Sequence, residues 1–196
     1  MIEKDINMKQ LTLSFAPPEK WRNDSQSKRL EREAWQNLRK EILERDDYTC
    51  AYCRYKSDKY QIVDHIDGNP ENNKDENLQV ICQMCNLIKH SGQGCEVKGI
   101  VDLYRESRYN QNAIIKIIRK MRDEGATDSE IIRVLGLKNK APFKMSLNYL
   151  KKLFGFITSR TIEDKSDMYV RWLAYHNGNN RLSKSLLLER NKKLPV

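Results

Sequence analysis

No run of about 18 apolar residues occurs in the 196-residue sequence, which excludes a membrane-spanning helix. The opening stretch, Met1 to Gln10, is polar and mixed in charge, and it lacks the apolar core of a secretory signal. Apolar residues make up only 39% of the chain, enough for small cores, and a small domain often needs a metal or disulfide staple. There is no internal repeat. There is also no aromatic platform of the kind that single-stranded RNA readers use. These features predict a cytoplasmic protein with reduced thiols, built as one medium domain or two small ones.

What is present is positive charge, unevenly spread. The formal net charge is +9, but residues 1–95 hold 15 Lys+Arg against 16 Asp+Glu, while residues 96–196 hold 21 against 11. All the excess lies in the second half. Such a footprint suits a polyanion, nucleic acid ahead of an anionic membrane surface, with solubility alone as the alternative.

The order of elements follows from periodicity and turn residues. Residues 1–27 read as a weakly structured lead-in, interrupted by Pro17-Pro18. A helix is expected from about Lys28 to Arg45, with Leu30, Ala34, Leu38, Ile42 and Leu43 on one face and Trp35 beside it. Gln61–Ile66 reads as a strand, Gly68–Asn73 as a turn-rich loop, Leu78–Ile81 as the returning strand and Gln83–His90 as a short helix. A glycine-containing stretch follows. Ile114, Ile115, Ile117, Ile118 and Met121 then stripe a helix ending at Gly125. Thr127–Glu130 is a capping box for a second helix, ending at Gly136. Pro142 opens an expected third helix through Phe143, Leu147, Leu150 and Leu153 to Gly155. Three short helices of this kind resemble a helix-turn-helix unit. The expected division is a lead-in over 1–27, a first domain over 28–95, a helical domain over 96–155, and a basic C-terminal region over 156–196 whose pattern defines no element.

Four of the five cysteines form two pairs, Cys50-x2-Cys53 and Cys82-x2-Cys85, with 28 residues between them. Four thiolates suit one tetrahedral zinc ion, and a closed four-sulfur site is structural. A disulfide pair or unliganded core cysteines are the alternatives. Cys95 is left over as a free thiol without an assigned role.

Between the pairs stand Val63-Asp64-His65-Ile66 and Asn77-Leu78-Gln79-Val80. After them stand Asn86, Lys89 and His90. Phosphodiester hydrolysis needs an activated water, charge neutralisation at the phosphate and help for the leaving oxygen. His65 is the side chain here that makes a good base near neutral pH. Asp64 offers an anionic oxygen and Asn86 an amide oxygen, hard donors that favour Mg²⁺ or Mn²⁺. Asn86 also reads as an ordinary helix-start cap. Neighbouring strand residues point to opposite faces, so Asp64 and His65 share one site only if the strand twists or bends there.

Over roughly residues 35–90 this arrangement resembles the HNH nuclease family, in the subgroup with a four-cysteine zinc knot. The resemblance implies an α+β chain with a small ββα-metal HNH core. It implies His65 as the general base, Asp64 and Asn86 as holders of a catalytic Mg²⁺ or Mn²⁺, and Asn77 as the residue that pins the loop between the strands. His90 is implied as a third ligand or a phosphate contact, with Lys89 assisting at the phosphate. Asp and Asn stand where colicin-type relatives place histidine ligands, which favours Mg²⁺. The implied products are 5′-phosphate and 3′-hydroxyl ends, and double-strand cutting by one such site implies two subunits or two visits.

On the expected third helix, Lys144, Asn148, Lys151 and Lys152 are the positions free to read double-stranded DNA, with Arg119, Lys120 and Arg122 tracking its backbone. A helical bundle that packs on the first half or mediates dimerisation is the alternative. The expected function is a site-specific, restriction-type double-stranded DNA endonuclease. The competing readings are a phage or mobile-element homing or nicking enzyme, an anti-phage defence nuclease, and a non-catalytic zinc-stabilised DNA-binding regulator.

Overall fold

The computed structural model describes residues 8–15 and 32–160. The elements are α1 (Arg32–Arg45), β1 (Gln61–His65), β2 (Leu78–Cys82), α2 (Gln83–Lys89), β3 (Val101–Glu106), α3 (Gln111–Asp123), α4 (Asp128–Leu135), β4 (Lys138–Ala141), α5 (Leu147–Leu150) and β5 (Phe154–Ile157). The class is α+β. The expected helical residues 28–31 and the basic region from 161 to 196 lie outside the described residues. Among the described residues no helix is long and apolar enough to cross a membrane.

β1 and β2 pair antiparallel, with Asp64 opposite Gln79 and His65 opposite Leu78. Alternation sorts their side chains onto two faces. On one, Val63, Leu78 and Val80 pack with Ile42 and Leu43 of α1. On the other, Ile81 packs with Leu87 and Ile88 of α2, with Ile62 alongside. The hairpin is thus sandwiched between two helices. The end of α1 also holds the start of β2, because Arg45 donates to the Leu78 carbonyl at 2.8 Å and the Val80 amide donates to Asp46 at 3.0 Å.

In the second half, α3 and α4 form where the sequence places them. Thr127 and Glu130 make the reciprocal capping box, and Gly136 closes α4 at φ 63°, a left-handed position that suits glycine. The third helix does not form. Between Pro142 and Gly155 only Leu147–Leu150 is helical. The residues on either side pair with β3 in a three-stranded antiparallel sheet of order β4-β3-β5. The expected mainly helical, helix-turn-helix-like region is therefore corrected: α3 and α4 pack against a sheet, burying Ile114, Ile118, Ile131 and Leu135 with Tyr104 and Phe156. Gly155 lies in mid-strand beneath α2, where an added Cβ would come within 2.5 Å of Ile88 Cδ1.

Residues 8–15 are also more ordered than the weakly structured lead-in expected from their sequence. Leu11 and Leu13 are buried in the same apolar cluster as the four cysteines, Ile88, Val101, Ile115, Leu150 and Ile157. That cluster runs across the expected boundary between residues 95 and 96. The side chain of Asn112 on α3 ties three distant stretches together. Its Oδ1 accepts from the Leu11 amide at 2.7 Å, and its Nδ2 donates to the carbonyls of Lys9 and Tyr52, each at 2.8 Å.

Candidate active site and metal centre

The Sγ atoms of Cys50, Cys53, Cys82 and Cys85 all lie within 4.8 Å of one another, and all four residues are buried. Cys53 Sγ and Cys82 Sγ are 3.6 Å apart. That is too far for a disulfide, and it matches the edge of a tetrahedron with Zn–S bonds of about 2.3 Å. The thiols crowd one another. Cys50, which accepts hydrogen bonds from Cys53, Cys82 and Cys85, is held below the usual thiol range, while Cys85, whose proton Cys50 and the other thiols retain, is pushed above it. Four such groups ionise together only around a cation. The donor set fits zinc. Arg119 of α3 adds a second positive charge, donating to Cys82 Sγ at 3.4 Å while lying 3.6 Å from the ring centroid of Tyr55.

Asp64 faces α2. Its side chain is 5% exposed, and Lys89, 12% exposed, places its ammonium 2.5 Å from Oδ2. Gln79, the cross-strand neighbour, donates to the same oxygen at 3.0 Å, and His90 Nε2 lies 3.3 Å from Oδ1. Burial works against the charged carboxylate. The His90 hydrogen bond and the Lys89 ammonium outweigh it, so Asp64 is held below the usual carboxylate range. Gln79 also donates to the hydroxyl of Tyr52, at 3.1 Å, which links the first cysteine pair to Asp64.

His65, the last residue of β1, leaves the strand on the side of α1. Its ring stacks on Trp35, with centroids 5.8 Å apart and planes inclined by 14°. Its Nε2 lies 3.0 Å from Asn73 Oδ1. Asp64 and His65 therefore point to opposite faces of the hairpin. They meet only at the end of the strand, where Lys89 reaches over to the His65 carbonyl at 2.7 Å.

Asn77 spans the loop between the strands. Its Oδ1 accepts from the Asp67 amide at 3.1 Å, and its Nδ2 donates to Asp67 Oδ1 at 2.9 Å and to the Asn72 carbonyl at 2.8 Å. Asn86 is half-buried on α2, three residues before Lys89 and four before His90, on the face those two turn toward Asp64. The hairpin and α2 thus bring together Asp64, Lys89 and His90 on one side, with Asn86 along the same helix face and His65 on the other side.

The second-half candidates scatter. Arg119 sits on the cysteine knot. Arg122 is taken up by the fold, donating to Asp128 at 2.8 Å and to the Ile157 carbonyl. Lys120 is exposed and lies 4.0 Å from Glu124. Lys144, Asn148, Lys151 and Lys152 are exposed, but they surround a helix of four residues and share no recognition helix. Sequence reasoning missed Gln79, Tyr52 and Asn73. Gln79 was within reach, because counting back across the hairpin from His65 opposite Leu78 places it against Asp64.

Comparison with known proteins finds similarity over part of the chain. A stretch of 71 residues, 36% of this chain, is 36% identical to the Type 4 apparatus protein DotN of Legionella pneumophila and spans 32% of that protein's length. Residues 50–92, the stretch with the hairpin and helix that carry Asp64, His65 and Asn86, match the HNH endonuclease family model, and the four cysteines within it are positioned to form a zinc site.

Proposed function

We propose that this chain is a metal-dependent HNH endonuclease that cleaves double-stranded DNA, with His65 as the general base. The observation that carries the reading is the buried, ionised Asp64, faced by Lys89 and His90 of α2; His65, the next residue of β1, turns its ring to the opposite face of the hairpin and would reach the same phosphate around the end of the strand. A carboxylate that already seats a cation suits a hard divalent ion. Asp64 and Asn86 would hold Mg²⁺ or Mn²⁺, and a bound ion of that kind neutralises charge on a phosphate and on its leaving oxygen. Lys89 must swing off Asp64 for this, which frees an ammonium next to the incoming phosphate. His65 takes a proton from the attacking water, and Asn77 holds the loop that frames it. His90 contacts the phosphate or adds a ligand. The products are 5′-phosphate and 3′-hydroxyl ends.

The form we propose is restriction-type double-strand cutting, which with one such site per chain needs two subunits or two visits, and the basic second half suits a DNA partner. Lys120, Lys144, Asn148, Lys151 and Lys152, all exposed, are the residues of that half that would contact the DNA. The free, clustered thiols suit the cytoplasm.

A second reading, a zinc-stabilised protein without catalysis, is favoured by two observations. Lys89, Gln79 and His90 occupy both oxygens of Asp64, and the chain is similar to an apparatus protein over its matched stretch. Plasmid cleavage in Mg²⁺ separates the two. The wild type should nick or cut. His65→Ala should lose about 10²- to 10⁴-fold in rate with zinc content and DNA affinity unchanged. A wild type that binds DNA and leaves it intact supports the second reading.

A further inference from the structure

We propose that Asn73 is a positioning residue that fixes the tautomer of His65, leaving Nδ1 as the atom that accepts a proton. The Asn73 side chain lies between two partners: its Oδ1 is 3.0 Å from His65 Nε2, and its Nδ2 is 3.5 Å from the Glu71 carbonyl. An amide oxygen only accepts, so the imidazole nitrogen facing it must carry the hydrogen. In a neutral ring the other nitrogen is then the bare one. Trp35 stacked on the ring fixes its plane, so the direction of the Nδ1 lone pair is set as well.

The loop is built to hold this acceptor in place. The Asn73 amide donates to the Glu71 carbonyl at 3.2 Å, and the neighbouring Asn72 carbonyl accepts from Asn77 at 2.8 Å. Asn72 Nδ2 donates to Asp67 at 2.8 Å, and Asp67 is itself bonded to Asn77. A residue that grips the strand turn thereby sets the position of the one that grips the imidazole. Within the hairpin, Asn73 is to His65 what Gln79 is to Asp64: a neutral amide in hydrogen-bond reach of the side chain it orients.

The kinetic consequence rests on the nuclease reading, but the tautomer does not, and the experiment keeps the two apart. The zinc-loaded, full-length protein, labelled with ¹⁵N-histidine, is observed by long-range ¹H–¹⁵N correlation at a pH where imidazoles are neutral. His65→Gln identifies the His65 signals. The expected result is a single tautomer protonated at Nε2. Asn73→Ala should give a mixture of tautomers and lower kcat by about 10-fold or more, part of the ~10²–10⁴ that a general base supplies, with KM unchanged. Asn73→Asp offers an oxygen in the same place and should restore both the single tautomer and most of the rate. Protonation at Nδ1 in the wild type, or an Asn73→Ala spectrum identical to wild type, overturns the proposal. A wild type with the expected tautomer and no cleavage upholds the role of Asn73 and rejects the nuclease reading.

Discussion

Arg119 lies 3.6 Å from the ring of Tyr55 and donates to Cys82 Sγ at 3.4 Å, so a helix of the basic second half covers the cysteine knot of the first. The guanidinium offsets part of the negative charge that four thiolates leave after one divalent ion has bound. The positive charge of α3 thus has a task inside the molecule as well as any outside it.

Removing one thiolate should therefore unfold more than the knot. Cys82→Ser is expected to lose the zinc that the wild type retains, and with it the near-ultraviolet dichroism of the folded chain, because the four cysteines share a core with Val101, Ile115 and Ile157. Zinc analysis and chelator-induced unfolding check this. A folded, metal-free Cys82→Ser protein would contradict it.

Asp64 should matter for stability as well as for cutting. Asp64→Asn leaves the nearly buried Lys89 ammonium without its carboxylate and is expected to cost about 3 kcal/mol in urea unfolding. Lys89→Met in the same chain should recover most of that loss. Equal stability of Asp64→Asn and wild type would mean that the ammonium finds water elsewhere.

At Gly155 the backbone is approached too closely for a side chain. Gly155→Ala places a methyl group 2.5 Å from Ile88 Cδ1 and should destabilise the protein by about 1–3 kcal/mol. Ile88→Val removes the atom that clashes, so the double variant should be more stable than the two single losses added together. Additive losses would place the strain elsewhere.

Acid should loosen the strand-connecting loop through Asp67. The Asn69 amide, with Asn72 and Asn77, holds its carboxyl down to about 2. A native value below that of the unfolded chain favours the ionised form, so the contribution is full above pH of about 4 and is lost as pH falls from about 4 towards 2. Carbon-detected titration of Asp67 should show the low midpoint, and Asn77→Ala should raise it. An ordinary midpoint in the wild type refutes this grip.

What could be read in advance was local. The amphipathic stripes of α1 and α3 and the Thr127–Glu130 box each sit within one element, each cysteine pair sits within four residues, and each formed where expected over the described residues. The third helix failed because Phe143, Leu147, Leu150 and Leu153 imitate helical spacing without sharing one buried face: Phe143 meets Phe15 edge-on at 6.3 Å on the core that Leu150 and Leu153 enter, while Leu147 stays exposed. β4 carries Lys138, Asn139 and Lys140 and shows no apolar alternation, so only its pairing with β3 makes it a strand. At the site, residue types were legible, and that Asp64 and His65 face opposite helices follows from strand geometry. The amides that hold each, Gln79 and Asn73, were not, because they depend on register and loop shape.

The three hydrogen bonds of Asn112 join residues 9, 11 and 52 to one side chain that is synthesised long after them. On the ribosome, the first cysteine pair emerges well before the amide that anchors its backbone, so the early segment must wait, partly exposed, for α3 to arrive. The backbone of the first cysteine pair is thereby anchored only once the later part of the polypeptide has been made.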